Sequence, residues 1–261
     1  MRDYMEFANK PDLSLAKKVL PAPLLQALLH IFGQRVKGCM LVGGTALAGF
    51  YAGHRRSDDL DLFVQDETSY QATTLAAHSL VGIGATLTIQ MNSAQYFRAL
   101  CKLSHHVFTI DVVLDSNLFQ VGSSSLVGST IEVADLHTIC MMKAATLVSR
   151  CSEKDLYDLH WISRTAGGLK IKDLLSLGQR IDGGVNPESL LISVDGALLS
   201  ENSCGFCREL GISPAKVFKV VKDFKEYLLE ELMNAAEQIP PPPIKSLVDQ
   251  AVKLGKARPR S

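Results

Sequence analysis

The stretch LVGGTALAGFYAGHRRSDDLDLF, Leu41 to Phe63, constrains the fold more than any other part of the chain. In DLDLFV, Leu60, Leu62 and Val64 alternate with Asp59, Asp61 and Phe63, the period of a strand with one face in a core. Residues two apart on a strand point the same way, so Asp59 and Asp61 share the other face. Carboxylates beside a core are costly unless something positive meets them. Just upstream, Gly43-Gly44 separates an apolar run that reads as a buried strand, GCMLVGG, from a short helix through TALAGFYAG. Glycines at such a turn let the backbone approach a phosphate, and the helix start offers free N–H groups, with the Thr45 hydroxyl at the cap.

The order of elements around this stretch points to an α+β fold. Residues 12–34 read as one or two short helices interrupted by Pro21 and Pro23. After DLDLFV, a helix is expected through ETSYQATTLAAHSLV, then strands at ATLTIQMN, AQYFRALCKL and HHVFTIDVVLD. The first ~130 residues therefore give a β-α-β-α-β-β-β order. Beyond STIEVAD the character turns helical, in LHTICMMKAATLVSR, LYDLHWISRTA, IKDLLSLGQR, PESLLISVDGALL, PAKVFKVVKDFKEYLLEELMNAAEQ and IKSLVDQAVKLG. Ser152–Asp155 is the N-cap of the second of these, Gly167-Gly168 its stop, and IPPPPIK a stiff break before the last. The expected division is an α+β domain over 1–133, a mostly helical part over 134–255 that lines a cleft, and a disordered basic tail over 256–261.

Composition narrows the setting. Lys plus Arg and Asp plus Glu number 27 each among 261 residues, so bulk charge does not drive nucleic-acid coating, although a local basic groove remains open. The charged N-terminus has no signal-peptide core, and the longest uncharged run, Gly38 to Gly53, is short and glycine-rich for a membrane span. With no export signal, the six cysteines read as reduced thiols of a cytoplasmic protein. Cys204 and Cys207 form a lone C-x-x-C with no second pair, and read as buried thiols rather than half a zinc site.

Two carboxylates at the Asp59/Asp61 spacing can share Mg²⁺, a hard cation that completes its shell with waters and substrate phosphates. Two such ions serve in-line nucleotidyl displacement. Asp111, which interrupts the apolar run FTIDVVL, is the candidate third acid and the candidate base for an attacking hydroxyl. Asp115 at the strand end reads as a turn residue, and Asp58 as a loop or cap residue. Arg55 and Arg56 have two readings, contact with nucleotide or RNA phosphates, or ion pairs with the aspartates or Asp158. Lys143, amid Met and Ala, must snorkel or meet an anion. Arg150 and Lys154 read as solvated helix-end charges.

GGTALAGFYAGHRRSDDLDLF resembles the opening motif of the DNA polymerase β-like nucleotidyltransferase superfamily, and in particular its AbiEii/AbiGii toxin branch. LHTICMMKAATLVSRCSEKDLYDLHWI resembles the second block of that branch, a Lys-bearing helix followed by an Arg and a D-x-x-D helix. Together the two blocks cover about residues 38–165. The resemblance implies a mixed sheet with flanking helices followed by a helical C-terminal part. It implies that Gly43, Gly44 and Thr45 cradle a triphosphate, that Asp59 and Asp61 hold Mg²⁺, and that Ser57 supports the loop or touches the phosphates; Asp111, as a third metal-holding acid, matches only the superfamily's general pattern. Lys143 would neutralise phosphate charge, with Asp155 and Asp158 orienting it or positioning substrate. The implied activity is Mg²⁺-dependent transfer of a nucleoside monophosphate from NTP to a hydroxyl of RNA (tRNA included) or of a protein, in a toxin–antitoxin or phage-defence setting with an antitoxin partner. Two alternatives stay open: an inactive nucleotidyltransferase-fold binding protein, and an aminoglycoside-type small-molecule nucleotidyltransferase.

Overall fold

The structure, a computed structural model, describes residues 10–165 and 170–237. The Gly167-Gly168 stop, the IPPPPIK break, the last expected helix and the 256–261 tail lie outside the described residues. The two prolines near the N-terminus divide one apolar stretch into two helices, α1 (Leu13–Val19) and α2 (Ala22–Gly33). Asp12 caps the first by accepting from the Ser14 N–H, and Pro21 and Pro23 open the second, where a missing N–H costs nothing.

Among the described residues, seven strands form one mixed sheet in the order β3-β4-β5-β2-β1-β7-β6. Their ranges are β1 Cys39–Val42, β2 Asp59–Val64, β3 Thr86–Asn92, β4 Tyr96–Leu103, β5 His106–Leu114, β6 Ser124–Val127 and β7 Ile131–Ala134. Strand β1 is buried at every position and pairs antiparallel with β2 and parallel with β7, so it sits mid-sheet, as its uninterrupted apolar run requires. Strand β2 alternates half-buried and buried, with Leu60, Leu62 and Val64 wholly in the core. It runs parallel to β5, which pairs antiparallel with β4. The five-strand expectation was short by two: β6 and β7 form a hairpin after a short helix at Ser116–Val121.

Chain order gives the remaining helices as α3 (Gly43–Leu47), α4 (Glu67–His78), α5 (Ser116–Val121), α6 (Leu136–Ser149), α7 (Glu153–Thr165), α8 (Ile171–Gln179), α9 (Pro187–Gly196) and α10 (Pro214–Glu237). Helix α3 continues into a single π turn at Ala48–Ala52, ended by Gly53 at φ +60. Every described strand precedes residue 135, and the segment after it is helical, with a 3₁₀ run at Glu201–Leu210 that the sequence reading did not anticipate. The fold is thus α+β, a mixed sheet with flanking helices and a helical C-terminal region. Helices α6 and α7 are joined by Arg150–Ser152, which brings their ends to the sheet face that carries the aspartates. Ser152 caps α7 reciprocally: its hydroxyl accepts from the Asp155 N–H and donates to the Asp155 carboxylate.

Candidate active site

The register of the sheet places the carboxylates. Asp61 on β2 lies opposite Asp111 on β5, and Asp111 lies opposite Arg98 on β4, so one row across three strands reads Asp, Asp, Arg on a single face. One step along, Asp59 lies opposite Thr109, whose hydroxyl donates to Asp59 Oδ1 at 2.6 Å. Asp111 Oδ1 accepts from the Tyr96 hydroxyl at 2.5 Å and lies 3.7 Å from Arg98 Nε. Burial, then the charges of Asp59 and Asp111, push the Asp61 carboxyl up to about 6, although Lys143 and Arg150 pull the other way.

The opposite wall is cationic and helical. Lys143 on α6 is buried, and its Nζ lies 2.9 Å from Asp155 Oδ1 and 2.7 Å from Asp158 Oδ2. Asp158 also takes a two-pronged contact from Arg55, Nε at 2.6 Å and Nη2 at 2.9 Å, the geometry a planar guanidinium is built for. His54 Nε2 reaches the same carboxylate at 2.9 Å. Burial opposes charge on Asp158, yet Lys143 and Arg55 outweigh it and hold its carboxyl well below the usual range. Arg150 Nε lies 3.3 Å from Asp155 Oδ2, with most of its side chain exposed. Between the two walls opens a cleft of about 450 Å³ lined by Asp59, Asp61 and Asp111 on one side and Lys143, Arg150 and Lys154 on the other.

The glycine pair has a reason beyond phosphate access. Gly43 adopts φ +69, and a Cβ there would collide with the Asp61 carboxylate. At Gly44 a Cβ would collide with the Arg55 guanidinium. These absences of side chain let Asp61 and Arg55 lie against the α3 backbone. Gly44 lines the cleft, as does Ser57. Thr45 is placed otherwise than expected: it is fully buried, donates to the Asp59 carbonyl and lies 2.9 Å from Ser57 Oγ, so it braces the aspartate strand from behind. Asp158 likewise stays out of the cleft and acts on Lys143 and Arg55.

Other residues resolve the open readings. Arg55 pairs with Asp158, while Arg56 pairs with Asp58 and Glu209 and donates its N–H to the Phe206 carbonyl, so neither guanidinium is spare. Asp115 caps α5 through the Leu118 N–H. Cys204 and Cys207 are both buried, their thiols turned to the carbonyls of Ser200 and His54. Arg150 and Lys154, read as solvated charges, line the cleft. Tyr96, Arg98 and Thr109 escaped the sequence reading. The signal for two of them was available, since Tyr96, Arg98, Leu100 and Lys102 alternate with the buried Phe97, Ala99, Cys101 and Leu103.

The sequence model described as "Nucleotidyl transferase AbiEii toxin, Type IV TA system" matches residues 26–190, more than half of the chain. The chain belongs to the AbiEii nucleotidyl transferase toxin family. Its matched span takes in both walls of the cleft, from Gly44 to Asp155. Among solved structures, it is similar to MenT4, a nucleotidyltransferase toxin from Mycobacterium tuberculosis, at 17% identity and a TM-score of 0.47, covering 85% of this chain and 95% of that one. It is also similar to JHP933 from Helicobacter pylori, at 16% identity and a TM-score of 0.45, over 85% of this chain and 95% of that one. No curated protein matches it in sequence.

AbiEii-type chemistry raises the question of a metal. Among the described residues, no three His, Cys, Asp or Glu side chains form a ready-made metal cage. Mg²⁺ does not ask for one: it binds through one or two carboxylates and takes its other oxygens from water and substrate phosphates. Asp59 and Asp61 supply hard oxygen donors on one face, with Asp111 alongside on the neighbouring strand and all three lining the cleft. The donor set fits. Among the described residues, no helix is long and apolar enough to cross a membrane.

Proposed function

We propose that this AbiEii-family chain moves a nucleoside monophosphate from an NTP to an acceptor hydroxyl, releasing pyrophosphate, with Mg²⁺ held by Asp59, Asp61 and Asp111. The supporting observation is that three sheet carboxylates share one cleft with Lys143 on α6, Lys154 on α7 and Arg150 in the joint between those helices. A bound Mg²⁺ would supply charge neutralisation between the carboxylates and the phosphates. The triphosphate would lie toward the helical wall, where Lys143 is held in place by Asp155 and Asp158 before any ligand arrives. Arg150, whose side chain is mostly exposed beside Asp155, and the exposed Lys154 would close on it.

Asp111 would take the acceptor proton. Its Oδ1 is engaged by Tyr96, which orients the carboxylate and leaves Oδ2 for the acceptor hydroxyl. Gly44 and Ser57, at the floor of the cleft, contribute backbone and hydroxyl contacts to phosphate. The sheet portion up to about residue 133 then carries the chemistry, and the helices after it form the second wall and select the acceptor, an RNA (tRNA included) or a protein. An antitoxin is the expected partner in the cell.

The test is transfer of label from α-phosphate-labelled NTPs to total RNA and to protein, with Mg²⁺, by the wild type and by Asp61→Asn. The expected result is label on one acceptor class from the wild type and none from the variant. A folded wild type that binds NTP yet labels nothing, in the presence of its acceptors, overturns the transfer reading in favour of a binding protein.

A further inference from the structure

Helix α7 has a second business face. Tyr157, His160, Trp161 and Arg164 follow the i, i+3, i+4, i+7 spacing of one helical stripe, turned away from Asp155 and the cleft. With His54 and Thr165 they line a cavity of about 380 Å³ that shares no residue with the cleft. The His54 ring is one wall. It stacks on Tyr157 at 5.5 Å between centroids and 9° between planes, and lies 5.6 Å from the Trp161 ring. Its Nε2 is committed to Asp158, while Nδ1 is buried with no hydrogen-bond partner among the described residues. Arg164 is exposed at the far end of the stripe.

We propose that this cavity binds a nucleobase together with its attached phosphate, from a free nucleotide or from single-stranded RNA. Flat aromatic walls favour a planar ring, because stacking is available to any base whatever its edge. The exposed guanidinium suits a phosphate, with which it makes paired charged hydrogen bonds. The partnerless His54 nitrogen is a buried polar group that ordinarily has a partner, and the edge of a base can supply one. An aliphatic ligand would use neither Arg164 nor the imidazole, and a bare anion would gain nothing from three rings. The cavity also touches the transfer machinery: Asp158 is shared by His54 on this side and by Lys143 on the cleft side. A ligand bonded to His54 fixes its tautomer and thereby biases the Asp158–Lys143 contact, a coupling that must run both ways. Binding here goes beyond the transfer reading and does not depend on it.

Trp161 is the only tryptophan in the chain, so its emission reports this cavity directly. The titration uses full-length protein in EDTA, with AMP, UMP and a short oligoadenylate as probes and inner-filter correction. The expected result is a saturable change in Trp161 emission with at least one probe, a rise in Kd of about tenfold for Arg164→Ala, and an unchanged titration for Asp59→Ala/Asp61→Ala. Equal responses to nucleotides and oligomer assign the site to free nucleotide; a response to the oligomer alone assigns it to RNA. No saturable change with any probe overturns the proposal, as does Arg164→Ala titrating like the wild type, or loss of the signal in Asp59→Ala/Asp61→Ala. Because no transfer is measured, a failure of the labelled-transfer experiment leaves this outcome untouched.

Discussion

Asp61 should be a stability liability in the metal-free protein, and removing its charge should make the fold stronger. Folding moves its carboxyl from 3.8 to about 6, because burial and then Asp59 and Asp111 oppose ionisation. A raised folded-state value means that the favourable contribution is present below the unfolded value and is lost as pH rises through about 6. Two units at about 1.4 kcal/mol each amount to about 3 kcal/mol, and allowing for solvent screening at the cleft leaves about 2 kcal/mol. Asp61→Asn keeps the shape against Gly43 and removes the charge. Urea unfolding in EDTA should show the variant about 2 kcal/mol more stable than the wild type near pH 8, with the gap closing toward pH 4. Saturating Mg²⁺ with an NTP should stabilise the wild type and not the variant. A variant no more stable than the wild type near pH 8, or a gap that does not change with pH, refutes the reasoning.

Other substitutions probe the two walls separately. Lys143→Met leaves Asp155 and Asp158 buried with less compensation and should lower stability by about 3 kcal/mol, read by thermal or urea unfolding. Gly43→Ala should cost about 2 kcal/mol through its positive φ and the collision with Asp61, and the double variant with Asp61→Ala should cost less than the sum of the singles in a double-mutant cycle. Tyr96→Phe removes the hydrogen bond that orients the Asp111 carboxylate, so the transfer rate should fall about tenfold while NTP binding, read by calorimetry, stays unchanged. Arg55→Lys loses one prong of the Asp158 contact and should lower stability by about 1–2 kcal/mol at little change in charge.

Much of this architecture was legible because it depends on short-range periodicity. The alternation in DLDLFV predicted both the strand and the shared face of Asp59 and Asp61, and the prolines at 21 and 23 marked where one helix gives way to the next. The hairpin β6–β7 was missed because each strand has only four residues, too few to show a period beside a turn-rich stretch. What the glycine pair is for was only half visible. The cleft does reach Gly44, but the collisions at both glycines involve Asp61 and Arg55, side chains whose position only the folded chain defines. The partner of Arg55 lies 103 residues away at Asp158, and no local pattern links the two. Thr45 shows the same limit: a hydroxyl at a helix start suggests phosphate, whereas the fold spends it on the Asp59 carbonyl. The alternation along β4 did contain Tyr96 and Arg98, yet only the register across β5 reveals that Arg98 completes a row with Asp111 and Asp61.

The central claim, that the aspartate face and the Lys143 wall together bind a metal–nucleotide complex, is tested most directly by calorimetric titration of the four NTPs with Mg²⁺. Wild type and Asp59→Ala/Asp61→Ala are compared, each confirmed as folded by circular dichroism. The account predicts Mg²⁺-dependent binding of at least one NTP by the wild type, abolished in the variant. Binding that survives in the variant or needs no divalent ion, or a folded wild type that binds no NTP, contradicts it.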